Sequence, residues 1–140
     1  RSTLFPYTTL FRSGRRKGAL LAVGDLHACM GDGEMSGTGI ETPGTVLMKT
    51  TVLKGTRLER PMVETKDSVY TVASAKEFED GVRVAAEDMV DYLMKKTGLE
   101  FQDAYRLLSA VCDIQISQAV NDLYTFRVRA PKALLKLSGI

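Results

Sequence analysis

The amino-acid sequence predicts an α+β fold, with strands first, then two helices and closing strands. Three observations carry this. From Gly18 to about Ser74, β-branched and apolar residues alternate in short runs punctuated by Gly and Pro. From Glu77 to Cys112 the apolar period lengthens to three or four, and after Asp113 it returns to two. Strands and helices that come in blocks, rather than alternating, place the helices on one side of the sheet.

The opening residues, RSTLFPYTTLFRS, match the in-frame translation of a common short-read sequencing adapter. We therefore expect Arg1 to Ser13 to be an assembly artefact and residues 14–140 to carry the domain. The whole chain has 140 residues and a formal charge of +2, which falls to 0 once Arg1 and Arg12 are set aside. That length suits one domain with a real core. A neutral balance excludes a nucleic-acid footprint. Arg15, Arg16 and Lys17 read as a solvated strand entry. No apolar run approaches the roughly 18 residues needed to cross a bilayer, so no membrane partner is expected. Cys29 and Cys112 stand far apart with no C-x-x-C spacing, which argues against a disulfide framework and fits a reducing, cytoplasmic setting. A homo-oligomer stays open.

The elements follow in order. ALLAVGDLHACM (19–30) is the first expected strand, stopped by GDG at 31–33. TVLMKTTVLKG (45–55) puts Val46, Met48, Thr50 and Val52 on one face and ends at Gly55. PMVE (61–64) and SVYTVAS (68–74) are shorter strands about the turn at Thr65, Lys66 and Asp67. Ser74 followed by Glu77 has the spacing of a capping box at a helix start. Phe78, Val82, Ala85, Ala86, Met89, Val90 and Leu93 then form one apolar stripe, with Lys95, Lys96 and Gly98 at its end. Gly81 inside that helix costs about 1 kcal/mol relative to Ala. A second helix spans about Glu100 to Cys112, with Phe101, Ala104, Tyr105, Leu108 and Val111 on one face. Met89, Leu93, Phe101 and Leu108 are expected in the core. DIQIS (113–117) and YTFRVRA (124–130) close the chain as strands before Pro131.

The polar residues concentrate in GDLHACMGDGEMSGTGIE (24–41), which contains the only histidine. If Asp32 and Gly33 form a two-residue type I′ loop, His27 pairs with Thr38, and Asp25, His27, Cys29, Glu34, Ser36 and Thr38 share one face. Asp25 and His27 are ordinary ligand types for a divalent cation, and Glu34 suits either a third ligand or a general base. Gly31 and Gly33 would let a small substrate come near the backbone. Spacing alone leaves other readings open. An Asp beside a His also serves as a hydrogen-bonded structural pair, and GDG also serves only as a turn. The Gly37-Thr38-Gly39 run lacks the following helix of a phosphate-binding loop. A non-catalytic β-rich binding module with a structural cation on the hairpin remains the alternative.

At this stretch the chain resembles the acetamidase/formamidase family. KGALLAVGDLHACMGDGEMSGTGIE is similar to that family's hallmark, a G-D-x-H segment followed by G-D-G-E and a small-residue strand ending in Ile-Glu. The likeness continues through RPMVETKD and AAEDMVDYLMKKTGLEFQDAYRLLSAVCDIQISQAVND, and covers Gly14 to Leu135. The resemblance implies a jelly-roll-like, β-rich sandwich with a smaller α/β part, and hydrolysis of formamide and acetamide to a carboxylic acid and ammonia. It implies Asp25, His27 and Glu34 as site residues holding a divalent metal, with zinc the working expectation. Glu34 and Asp32 are then the catalytic candidates, Gly31 and Gly33 line the small-molecule amide substrate, and Glu64 and Asp113 are supporting positions. Position 30, often Gln in the family, is Met here. Family chains are roughly twice as long, so we expect this chain to be a C-terminal portion, inactive alone.

Overall fold

The fold was described from a computed structural model, which defines residues 8–10, 22–55 and 58–136. Its elements are β1 (Thr8–Leu10), β2 (Met62–Glu64), β3 (Ser68–Ala75), α1 (Phe78–Thr97), α2 (Phe101–Val111), β4 (Asp113–Gln118), β5 (Tyr124–Pro131) and a 3₁₀ turn at Leu134–Lys136. The strands form one antiparallel sheet in the order β1-β2-β3-β5-β4. β3 and β5 run side by side from Ser68↔Pro131 to Ala75↔Tyr124 and make the sheet's spine.

Period-two patterning in β3 and β5 decides which face is buried. Val69, Thr71 and Ala73 of β3, with Phe126, Val128 and Ala130 of β5, point to the helices and are buried. Against them pack Ala85, Met89, Val90 and Leu93 of α1 and Ala104 and Leu108 of α2. The Thr71 hydroxyl, buried among apolar groups, donates to the Ala85 carbonyl at 2.7 Å and so ties β3 to α1. α1 ends as the sequence anticipates. Gly98 adopts φ 75°, and its N–H bonds to the Met94 carbonyl.

Gly81 has its explanation in the same core. A Cβ built there would collide with the Phe126 ring, which also meets Phe78 edge-on at 4.8 Å. The helix gives up propensity at Gly81 so that the bulkiest side chain of β5 can seat against its backbone.

Several expectations need correction. Ser74 does not cap α1: β3 continues to Ala75, and the Ser74 hydroxyl pairs with Thr125 Oγ1 across the ladder at 2.9 Å. The residue before the helix is Glu77, with no side-chain cap. Phe101 is an exposed residue that stacks on exposed Tyr105, not a core one. The run at 45–53 forms no strand, because a strand needs a ladder partner and none is offered among the described residues. Of the expected strand at 19–30, residues 19–21 lie outside the described residues, and 22–26 are irregular. The described residues make one sheet covered on one face by helices, a two-layer α+β arrangement.

Candidate functional site

Residues 24–42 form a long polar excursion that returns on itself near its two ends. His27 and Glu41 form an antiparallel bridge, flanked by bonds from Thr42 N–H to Leu26 C=O and from Ala28 N–H to Ile40 C=O. Ile40 N–H reaches the Cys29 carbonyl, so Ala28 and Cys29 lie opposite one residue, a bulge-like count. The type I′ expectation is thereby overturned. His27 faces Glu41 rather than Thr38, a shift of three, and an odd shift exchanges which residues share the histidine's face.

Two consecutive turns cause the shift. Glu34 N–H bonds to the Gly31 carbonyl and Gly37 N–H to the Glu34 carbonyl, so GDGEMSG is a compound loop. Glu34, at the junction, has φ 48°, and Gly33 and Gly37 lie at 87° and 79°. Glycine adopts such angles at no steric cost, whereas a glutamate does not.

At the closed end three donors converge. His27 Nε2 lies 3.1 Å from Asp25 Oδ1 and 3.0 Å from Glu41 Oε1, and one atom from each residue lies within 4.8 Å of the other two. The imidazole is 11% exposed, while the carboxylates are open at 79% and 67%. Gly39 lets the ring lie flat against the returning chain, since a Cβ there would meet His27 Cγ and Nδ1 at 2.5 Å. Thr38 Oγ1 donates to Glu41 Oε1 at 2.9 Å. That bond, then the one from His27, holds the Glu41 carboxyl below its ordinary range. Asp25 sits at φ 58°, left-handed backbone that aspartate tolerates better than most residues.

The expected site residues therefore separate. Asp25 and His27 come together with Glu41, which the sequence reading passed over. Glu34 is not in that trio; it is half-buried in the turn. Asp32 accepts two bonds from Arg127 Nη2 of β5, at 2.7 and 2.9 Å. Gly33 is buried, and both its backbone groups are engaged by the outer edge of β4, the N–H by the Ser117 carbonyl and the C=O by Ala119 N–H. Gly33 is thus a point at which the loop docks on the sheet; Gly31 is exposed and turns the loop. Glu64 pairs with Lys132, and Asp113 with Arg129 at 2.8 Å, which accounts for both as ion pairs. Cys29 is exposed, and burial pushes the Cys112 thiol up to about 11, which disfavours its thiolate.

A nitrogen and two carboxylate oxygens within this span are a donor set that suits a divalent cation of borderline softness, such as zinc.

Comparison with known proteins gives the family. Residues 14–128 match the Acetamidase/Formamidase family. Among curated proteins, none matches. A solved structure of a recombinant predicted acetamidase/formamidase from Thermoanaerobacter tengcongensis is 42% identical, with a TM-score of 0.82 over 89% of this chain and 41% of that one. An acetamidase from Bacillus halodurans is 38% identical, with a TM-score of 0.81 over 88% of this chain and 42% of the other. An acetamidase from Yersinia enterocolitica is 31% identical, with a TM-score of 0.68 over 78% and 33%. The chain thus spans well under half the length of these relatives.

Proposed function

The chain belongs to the acetamidase/formamidase family, and from that premise we propose that it contributes part of the active site of an amide hydrolase acting on short aliphatic amides such as formamide and acetamide. The observation that carries this is the convergence of Asp25, His27 and Glu41 on one point. These three would hold a divalent cation, zinc being the working choice. When bound, such a cation polarises an amide carbonyl and makes water more acidic.

The chain's own residues prepare that point. Gly39 packs against the His27 ring and Thr38 bonds to the Glu41 carboxylate, so both donors are held in place. Glu34 is the carboxylate we assign to proton transfer. It sits outside the trio in a left-handed conformation that two turn bonds maintain, and such strain concentrates at functional positions. In the reaction, water adds to the carbonyl carbon, the proton it loses goes to the amide nitrogen, and the C–N bond breaks to release ammonia. The remaining strands of a jelly-roll-like sandwich and the rest of the pocket would come from the part of a family-length protein that has no counterpart here.

The test is a cobalt(II) titration followed by visible absorption. One equivalent should bind; His27→Ala and Glu41→Gln should each weaken binding by about tenfold or more, and Glu34→Gln should leave it unchanged. In a chimera with residues 22–136 replacing the matching part of the Thermoanaerobacter relative, Glu34→Gln should abolish ammonia release from formamide and acetamide. Undiminished binding in His27→Ala, or full turnover in the Glu34→Gln chimera, would overturn the reading.

A further inference from the structure

The Asp25–His27–Glu41 trio lies on a loop, and a loop holds donors in register only if something rigid holds the loop. Among the described residues, the bonds that attach this one to the sheet meet at a single place. Arg127 lies on β5, on the face turned away from the helices. Its Nε donates to Gln115 Oε1 at 2.8 Å, its Nη1 to Ser117 Oγ at 2.9 Å, and its Nη2 to both oxygens of Asp32. One guanidinium therefore spans β5, β4 and the loop, which only its planar set of donors allows.

Ser117 is itself exceptional. β4 and β5 pair as Ile116↔Phe126 and then Gln118↔Thr125, which leaves Ser117 as an extra residue in a bulge. A bulge releases backbone groups from the ladder. Here the Ser117 carbonyl accepts the Gly33 N–H and Ala119 N–H bonds to the Gly33 carbonyl, next to the Arg127–Asp32 pair. From that joint the path to the site is short. The turns at 31–34 and 34–37 lead to Ser36, whose hydroxyl bonds to the Thr38 carbonyl, and Thr38 bonds to Glu41.

We infer that Arg127 is a positioning residue for the Asp25–His27–Glu41 site, which holds the loop through Asp32 against the Ser117 bulge and so sets the separation of the donors. The inference rests on the cation reading above and adds a residue in a distant strand to it. Arg129 is the natural comparison. It lies two residues along the same strand on the same face, but it bonds to Ser68 and Asp113 and reaches no part of the loop.

The experiment uses the full chain as wild type, Arg127→Ala, Arg127→Lys, Arg129→Ala, Asp32→Ala and the Arg127→Ala/Asp32→Ala double variant. Two readouts are followed, cobalt(II) affinity and the ring NMR signal of His27, unambiguous because it is the only histidine. Helical circular dichroism reports folding. Arg127→Ala should move the His27 signal and weaken cobalt(II) by about tenfold or more, with helical content retained. Lysine should not restore it, since one ammonium cannot bridge three partners. Asp32→Ala should match Arg127→Ala, and the double variant should be no worse than either single one. Arg129→Ala should leave both readouts at wild-type values. The inference is overturned if Arg127→Ala leaves the His27 signal unmoved, or if Arg129→Ala disturbs the site equally. If the wild type binds no cobalt(II), the cation reading fails, and the His27 signal alone decides the positioning role.

Discussion

Glu41 shows how an exposed carboxylate is shaped by two neighbours. Its carboxyl lies below the ordinary glutamate range first because Thr38 Oγ1 donates to it, and then because His27 does. Replacing Thr38 by Val removes the larger cause and keeps the side chain's shape. The Glu41 pKa should rise toward the ordinary value, read from the side-chain carboxyl carbon signal as pH is lowered. The direction for stability follows. A depressed folded value means that the contribution is fully present at neutral pH and is lost as pH falls below the ordinary glutamate range, through the Glu41 value. In Thr38→Val that loss should be smaller and should be complete at a higher pH. An unchanged titration would show that the Thr38 bond does not shape this carboxylate.

Among the elements, α1 and β5 make the most specific contact. An exposed glycine in a helix interior gains about 1 kcal/mol when replaced by alanine. At Gly81 the new methyl would enter the ring of Phe126, a fully buried side chain, and overpacking of this kind costs about 1–3 kcal/mol. Gly81→Ala should therefore lower the urea midpoint, and the additional change Phe126→Leu should recover part of the loss. A higher midpoint in Gly81→Ala alone would contradict the close approach. Elsewhere on α1, Arg60 reaches Asp88 with two bonds, Nε at 2.5 Å and Nη2 at 2.7 Å, and pins the segment before β2 to the helix.

For the molecule as a whole, the telling feature is apolar surface left uncovered. Val46, Leu47, Met48, Val52 and Leu53 are all exposed, and Val52 is 85% open. Phe101 and Tyr105 on α2 and Ile114 on β4 add a second apolar area. A run of exposed apolar and β-branched side chains is a surface on which chains associate. The chain should associate in a concentration-dependent way, seen as a rising sedimentation coefficient between micromolar and hundred-micromolar protein. Val46→Lys with Val52→Lys should suppress that association while leaving the helical signal intact, because neither side chain enters the core. A monomer at all concentrations would show that this surface is inert.

Much of this was legible in the residues themselves. The strands around Met62–Glu64, Ser68–Ala75, Asp113–Gln118 and Tyr124–Pro131, the apolar stripe of α1, the second helix and the Gly98 stop follow from local period and end residues, whereas the start of α1 does not, since Ser74 stays in β3. Such signals arise between residues one to four apart, which is why a sequence carries them openly. Asp25 and His27 as a pair were also legible, because they are only two residues apart. What the tertiary structure decided is everything that depends on distant chain. Gly81 becomes necessary only when Phe126 arrives against it. The run at 45–53 has strand periodicity but forms no strand without a ladder partner. Above all, Glu41 rather than Glu34 completes the trio, because the loop between them is not a two-residue turn. That loop is held at Asp32 by Arg127, 95 positions along the chain, and at Gly33 by the bulge in β4. The register of a polar loop has no hydrophobic period to encode it, so it is set by the few long-range hydrogen bonds that fix where the loop is fastened.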